Sequence, residues 1–189
     1  IAYLVQAGRD ALDRYGNSEA ARYLRGALEI VGTPPPGAEA PEGSGGDRPG
    51  IVRDLARALT RLGRYEEAIP LWTEACCRAR SQEDWEAAAE CRHRLGIIRS
   101  YQGDPAGALA EFEGILSDDA GKLSPLLRLQ VRLRQGLALE GLGRPEEARE
   151  VFWGVLEAAQ ELPDPVLLAQ AHRALVLLYI WTGQVDRVR

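Results

Sequence analysis

Small, aromatic and apolar side chains recur three times at the spacing i, i+4, i+7: Ala68, Trp72, Ala75; Ala108, Phe112, Ile115; Ala148, Phe152, Val155. That spacing stacks them on one face of an α-helix. The small residue lets a second helix come close and the large one fills the contact. Five residues before each small residue stands Gly63, Gly103 or Gly143, and with Gly183 these glycines fall 40 residues apart. A glycine there ends one helix in a left-handed turn without a Cβ penalty. Pro105 and Pro145, two residues on, open the next helix where no N–H is needed. The helices before the glycines start at Asp84, Ser124 and Asp164, each read as an N-cap, and run to about Tyr101, Leu142 and Thr182. Each period thus predicts a helix of about five turns, a glycine turn and a second helix of about four.

On these residues the chain resembles the tetratricopeptide repeat family, whose pattern sets a small residue in the first helix ahead of a Gly-x-x-x-x-Ala-x-x-x-aromatic-x-x-apolar string. Gly96, Gly103, Ala108, Phe112 and Ile115 follow it, as do Gly136, Gly143, Ala148, Phe152 and Val155. Ala56 stands where Gly is usual ahead of Gly63, Ala68, Trp72 and Ala75. The N-terminal stretch fits the same frame with Leu4, Gly8, Ala20, Leu24 and Ala27, and Tyr15-Gly16-Asn17 falls at its turn. The 40-residue period is longer than the family's usual one. It is similar to the variety in regulators like the maltose-regulon activator and other signal-transduction ATPases. Arg99 departs from the pattern, standing where an apolar side chain is usual.

The resemblance implies an all-α, right-handed solenoid of four to five helix-turn-helix repeats. The expected organisation is a repeat over 1–31, a flexible loop over 32–50, and repeats over about 51–80, 84–120, 124–162 and 165–189, the last cut short. The loop reading rests on five Pro and six Gly within 19 residues, with too few apolar side chains to join a core. The chain starts at Ile1, has no Met in 189 residues and stops six residues past a repeat glycine, so it reads as a piece of something longer.

Composition agrees with helix: Ala and Leu are far more numerous than Val, Ile and Thr. The longest apolar run, Ala174 to Trp181, is far short of a bilayer span. Cys76, Cys77 and Cys91 are too few for a disulfide framework, which points to a reducing, cytoplasmic setting. There is no phosphate-cradling loop, no His-Glu-x-x-His pair and no nucleophile elbow. Cys91 and His93, two apart on a helix, diverge too far to share a zinc. His172 reads as a surface or packing residue. No enzyme activity, metal or cofactor is expected.

The charges sort by helix. The expected first helices from Ile51 onward carry ten arginines against four acidic residues, a net +6, and the second helices a net −7. Carboxylates that open second helices, such as Glu66, Glu67, Glu146 and Glu147, complement the helix dipole. Tetratricopeptide-like stacking implies first helices on an inner wall. That wall would present Arg53, Arg57, Arg61, Arg94, Tyr101, Arg134, Arg173 and Trp181. Arginines can clamp carboxylates bidentately and aromatics can stack on a ligand.

The expected function is a protein- or peptide-binding scaffold for an acidic segment, the sensor or docking arm of a larger bacterial regulatory protein. The alternative is a sensing domain for a small molecule such as a sugar. The net charge of −5 disfavours nucleic acid. Leu177, Ile180 and Trp181 leave the last helix apolar on more than one side, read first as the mark of missing neighbours and second as a surface for self-association.

Overall fold

Side-chain oxygens meet the free N–H groups at the starts of several helices. Asp84 accepts from the Ala87 amide, Ser124 from Leu127, and Asp164 from Val166 and Leu167. The computed structural model describes residues 1–32, 47–118, 122–162 and 164–184. Among these lie nine α-helices and no strand: α1 (Ala2–Asp13), α2 (Asn17–Val31), α3 (Arg48–Arg61), α4 (Tyr65–Ser81), α5 (Trp85–Tyr101), α6 (Pro105–Asp118), α7 (Pro125–Gly141), α8 (Pro145–Ala159) and α9 (Pro165–Trp181). The order is that of four helix pairs and the first helix of a fifth.

The chain divides into two compact units, Ile1–Arg78 and Ala79–Arg189. In the second, α5 packs on α6, α6 on α7, α7 on α8 and α8 on α9, while α5 also touches α7 and α7 touches α9. First helices therefore stand side by side. The stripes of the sequence form the core, with Ala108, Phe112, Ile115, Ala148, Phe152 and Val155 fully buried. Close approach is built in by glycine: a Cβ on Gly96 would lie 2.5 Å from Cε1 of Phe112, and one on Gly136 would overlap Phe152 in the same way. The loop before α7 is held to the start of α5, where Glu86 accepts from both the backbone N–H and the hydroxyl of Ser124, and Lys122 Nζ sits 3.7 Å above the Trp85 ring.

The first unit repeats this logic with different residues. Gly8 faces Leu24, whose Cγ would be 2.7 Å from an added Cβ, and Trp72 replaces the phenylalanines. Its indole N–H is a polar group that burial would strand, and it donates to Thr60 Oγ1 at 3.0 Å.

The structure moves one boundary and adds one detail at a turn. Residues 33–46 of the expected loop lie outside the described residues, but 48–50 are helical: Asp47 caps α3 by accepting from Gly50 N, and Pro49 occupies the first turn. Composition alone hid an N-cap in a Gly/Pro-rich stretch. Arg48 is buried and donates to the Gly32 carbonyl at 2.8 Å and to Glu74 at 3.0 Å, tying α2, α3 and α4 together. At the first turn, Tyr15 rather than Gly16 takes the left-handed conformation, at φ 59°, with Gly16 at −77°. It stands where Gly63, Gly103, Gly143 and Gly183 stand, at φ of 70° to 80°.

Candidate binding surface

The arginines expected on the wall fall into two settings. On α3, Arg53, Arg57 and Arg61 are spaced by four residues, so their Cα atoms climb one face in steps of about 6 Å. Asp54 lies between the first two. It already accepts from Arg9 Nε of α1 at 2.9 Å and reaches Arg57 only at 3.8 Å. Arg9 is held charged chiefly by that bond to Asp54 and further by Asp47. Arg61 donates to the Leu12 carbonyl and lies 5.5 Å from the centre of the Tyr15 ring, with no carboxylate involved. Arg53 is exposed and has no ion-pair partner among the described residues. Two carboxylates, Asp54 and Asp47, thus stand against four arginines, and both are engaged by Arg9.

The second unit is different. Positions 40 residues apart on α5, α7 and α9 carry His93, Leu133, Arg173; then Ile97, Leu137, Leu177; then Tyr101, Gly141, Trp181. Arg94 and Arg134 occupy the neighbouring position, where Arg94 pairs with Glu90 at 3.6 Å. Arg134 has no carboxylate in ion-pairing range among the described residues. Arg173 is exposed. Tyr101 and Trp181 are 61% and 83% exposed. Arg92 and Arg99, the other α5 arginines, turn to α6 and pair with Glu111, Arg99 also with Asp104. Pairing explains how Arg99 takes a place that is usually apolar.

Between α5 and α7 lies a cleft of about 480 Å³, walled by Ile97, Tyr101, Pro105, Arg134, Leu137 and Gly141. The expected wall included Tyr101 and Arg134 but missed the apolar members. They could have been found by reading columns 40 residues apart rather than charges helix by helix.

His93 is the other residue underrated by sequence. It is 4% exposed, packs edge-on against Phe112 with ring centres 5.9 Å apart, and neither ring nitrogen has a partner. Burial, then the charges of Arg94 and Arg134, push its pKa down to about 3. It is a neutral core residue. Cys76 and Cys91 are buried and Cys77 exposed, none of them in a disulfide. No cluster of three His, Cys, Asp or Glu among the described residues could hold a metal ion, and no helix among them is long and apolar enough to cross a membrane.

Comparison with known proteins agrees with the fold. Residues 50–116 match the sequence model of the tetratricopeptide repeat. This segment carries tetratricopeptide repeats. Solved tetratricopeptide-like structures superpose on nearly the whole chain. A kinesin light chain-like protein of Podosopora anserina with nearly identical TPR-like repeats aligns at TM-score 0.71 and 18% identity, over 99% of this chain and 89% of that one. NprR in complex with its cognate peptide NprX aligns at 0.76 and 16%, over 99% and 51%. A Rap protein complexed with competence and sporulation factor aligns at 0.79 and 14%, over 98% and 50%. This chain therefore spans about half of the NprR and Rap chains. At these identities the likeness is one of fold: an all-α solenoid of tetratricopeptide-like repeats. No curated protein matches the chain.

Proposed function

We propose that this chain is a non-enzymatic binding module that takes an acidic protein or peptide segment on first helices of its repeats. The observation that carries the reading is the arginine ladder of α3: Arg53, Arg57 and Arg61 rise in steps of about 6 Å, with Asp54, the acid beside them, already committed to Arg9. An extended peptide places alternate side chains about 6.6 Å apart, so carboxylates at every second position fit that ladder closely enough for successive bidentate contacts. Of the tetratricopeptide-like structures of the same fold, NprR holds its cognate peptide NprX and a Rap protein is complexed with competence and sporulation factor. Arg94, Tyr101, Arg134, Arg173 and Trp181 belong to the second unit, on α5, α7 and α9. The role that fits such a module is a docking or sensing arm of a larger cytoplasmic bacterial regulator. A sugar sensor has less in its favour, because the polar groups of the α5–α7 cleft are few and the Ser100 hydroxyl there is already spent on the Gly96 carbonyl.

The test is titration of the chain with a labelled twelve-residue peptide of alternating Glu and Gly, and with its Gln counterpart, at two salt concentrations. The Glu peptide should bind more tightly, lose affinity as salt rises, and lose about tenfold or more on Arg57→Glu. Equal affinity for the Glu and Gln peptides defeats the reading.

A further inference from the structure

The α5–α7 cleft owes its opening to one missing side chain. Tyr101, Gly141 and Trp181 hold the same repeat position on three helices that adjoin in the order α5, α7, α9, and the middle one has no side chain. The space it leaves is floored by Ile97, Leu137 and Ala138 and closed on one side by Pro105, whose Cβ would be 3.2 Å from a Cβ on Gly141. At about 480 Å³ the cleft is in the range of small-ligand sites. Its wall is apolar except for Arg134 and Ser100, and Arg134 is the charged group in it without a carboxylate partner. α7 around it is basic, with Arg128, Arg132 and Arg134 against Glu140. The surrounding apolar atoms lower the local dielectric and strengthen any charge contact Arg134 makes.

We infer that this cleft is a specificity pocket for one large apolar side chain, an aromatic or branched aliphatic one, on a peptide that places a carboxylate beside it for Arg134. The occupant is thus a segment with Glu or Asp adjacent to Phe, Tyr, Leu or Ile. The apolar side chain fills the gap over Gly141 against Ile97 and Leu137, with the Tyr101 ring at the rim, and the neighbouring carboxylate pairs with the guanidinium. This rests on the peptide-binding reading and adds to it a second kind of contact: charge is read on α3, shape and charge together between α5 and α7.

The two readings are separated by one set of titrations on the full chain, using ten-residue labelled peptides with Glu-Phe-Glu, Glu-Ala-Glu and Gln-Phe-Gln at the centre. Glu-Phe-Glu should bind about tenfold or more tightly than Glu-Ala-Glu, the effect of burying a phenyl group. Ser100→Trp, which places a large ring in the cleft from an exposed position, should abolish that preference while leaving the preference for Glu over Gln. Arg134→Gln should reduce the Glu preference in the Phe peptides, because Gln removes the charge and keeps a polar end. Thermal melts by circular dichroism check that both variants fold. If acidic peptides bind and respond to Arg57→Glu, but Phe and Ala peptides bind equally and Ser100→Trp changes nothing, the pocket is overturned and the binding module stands. If the Phe preference responds to Ser100→Trp but the preference for Glu over Gln does not respond to Arg57→Glu, the pocket is supported and the α3 ladder loses its role. Absence of binding by every peptide overturns both. Saturation of the cleft by free N-acetylphenylalanine amide with no peptide preference overturns the peptide assignment.

Discussion

His93 allows a measurement in which the sign and the size both follow from its surroundings. In the folded chain burial and the charges of Arg94 and Arg134 hold it near pKa 3, whereas in the unfolded chain it titrates near 6.5. Between those values the unfolded state binds one more proton than the folded state, so acid favours unfolding. Above about pH 6.5 the effect is absent, and as pH falls it grows by about 1.4 kcal/mol per unit until the folded pKa is reached. From pH 7 to pH 5 the loss is about 2 kcal/mol. The control is His93→Leu, because Leu133 holds the same position one repeat later and is buried at 3% exposure. The variant also removes two ring nitrogens that have no partner, so at pH 7 it should equal or exceed the parent in stability, by up to about 3 kcal/mol. Urea unfolding of both proteins at pH 7 and pH 5 gives the difference in their pH dependence, in which the carboxylates common to both cancel. A difference of about 2 kcal/mol is expected. The same pH dependence in parent and variant would refute the claim that His93 is folded in the neutral state.

Other positions give sharper single readings. Gly136→Ala should lower stability by about 1–2 kcal/mol in urea unfolding, because overlap with Phe152 outweighs the helix-propensity gain; a more stable variant would mean that α7 and α8 are not in close contact. Tyr15→Gly should raise the melting midpoint, since it relieves a left-handed tyrosine worth about 1 kcal/mol, unless the Arg61 contact to its ring compensates fully, which an unchanged midpoint would reveal. Arg48→Ala should cost about 2 kcal/mol or more by leaving the Gly32 carbonyl unserved and the Glu74 pair broken; a neutral result would show that this side chain does not tie α2, α3 and α4 together.

The one-dimensional pattern determined which residues form helices, where most of them start and which faces meet. That information is local: N-caps at Asp84, Ser124 and Asp164 act within three residues, and the stripe from Ala108 through Phe112 to Ile115 is set by 3.6 residues per turn. Charge read along the chain also located the α3 ladder, because Arg53, Arg57 and Arg61 share one helix face. Other features depended on contacts between distant residues. Whether an arginine is available or spent is decided by carboxylates far away in sequence, as with Arg9 and Asp54 or Arg92 and Glu111. The cleft over Gly141 exists because two helices are brought side by side with Pro105 against them, and the neutrality of His93 comes from being enclosed. Desolvation and ion pairing are properties of three-dimensional neighbourhoods, and only the tertiary structure sets them.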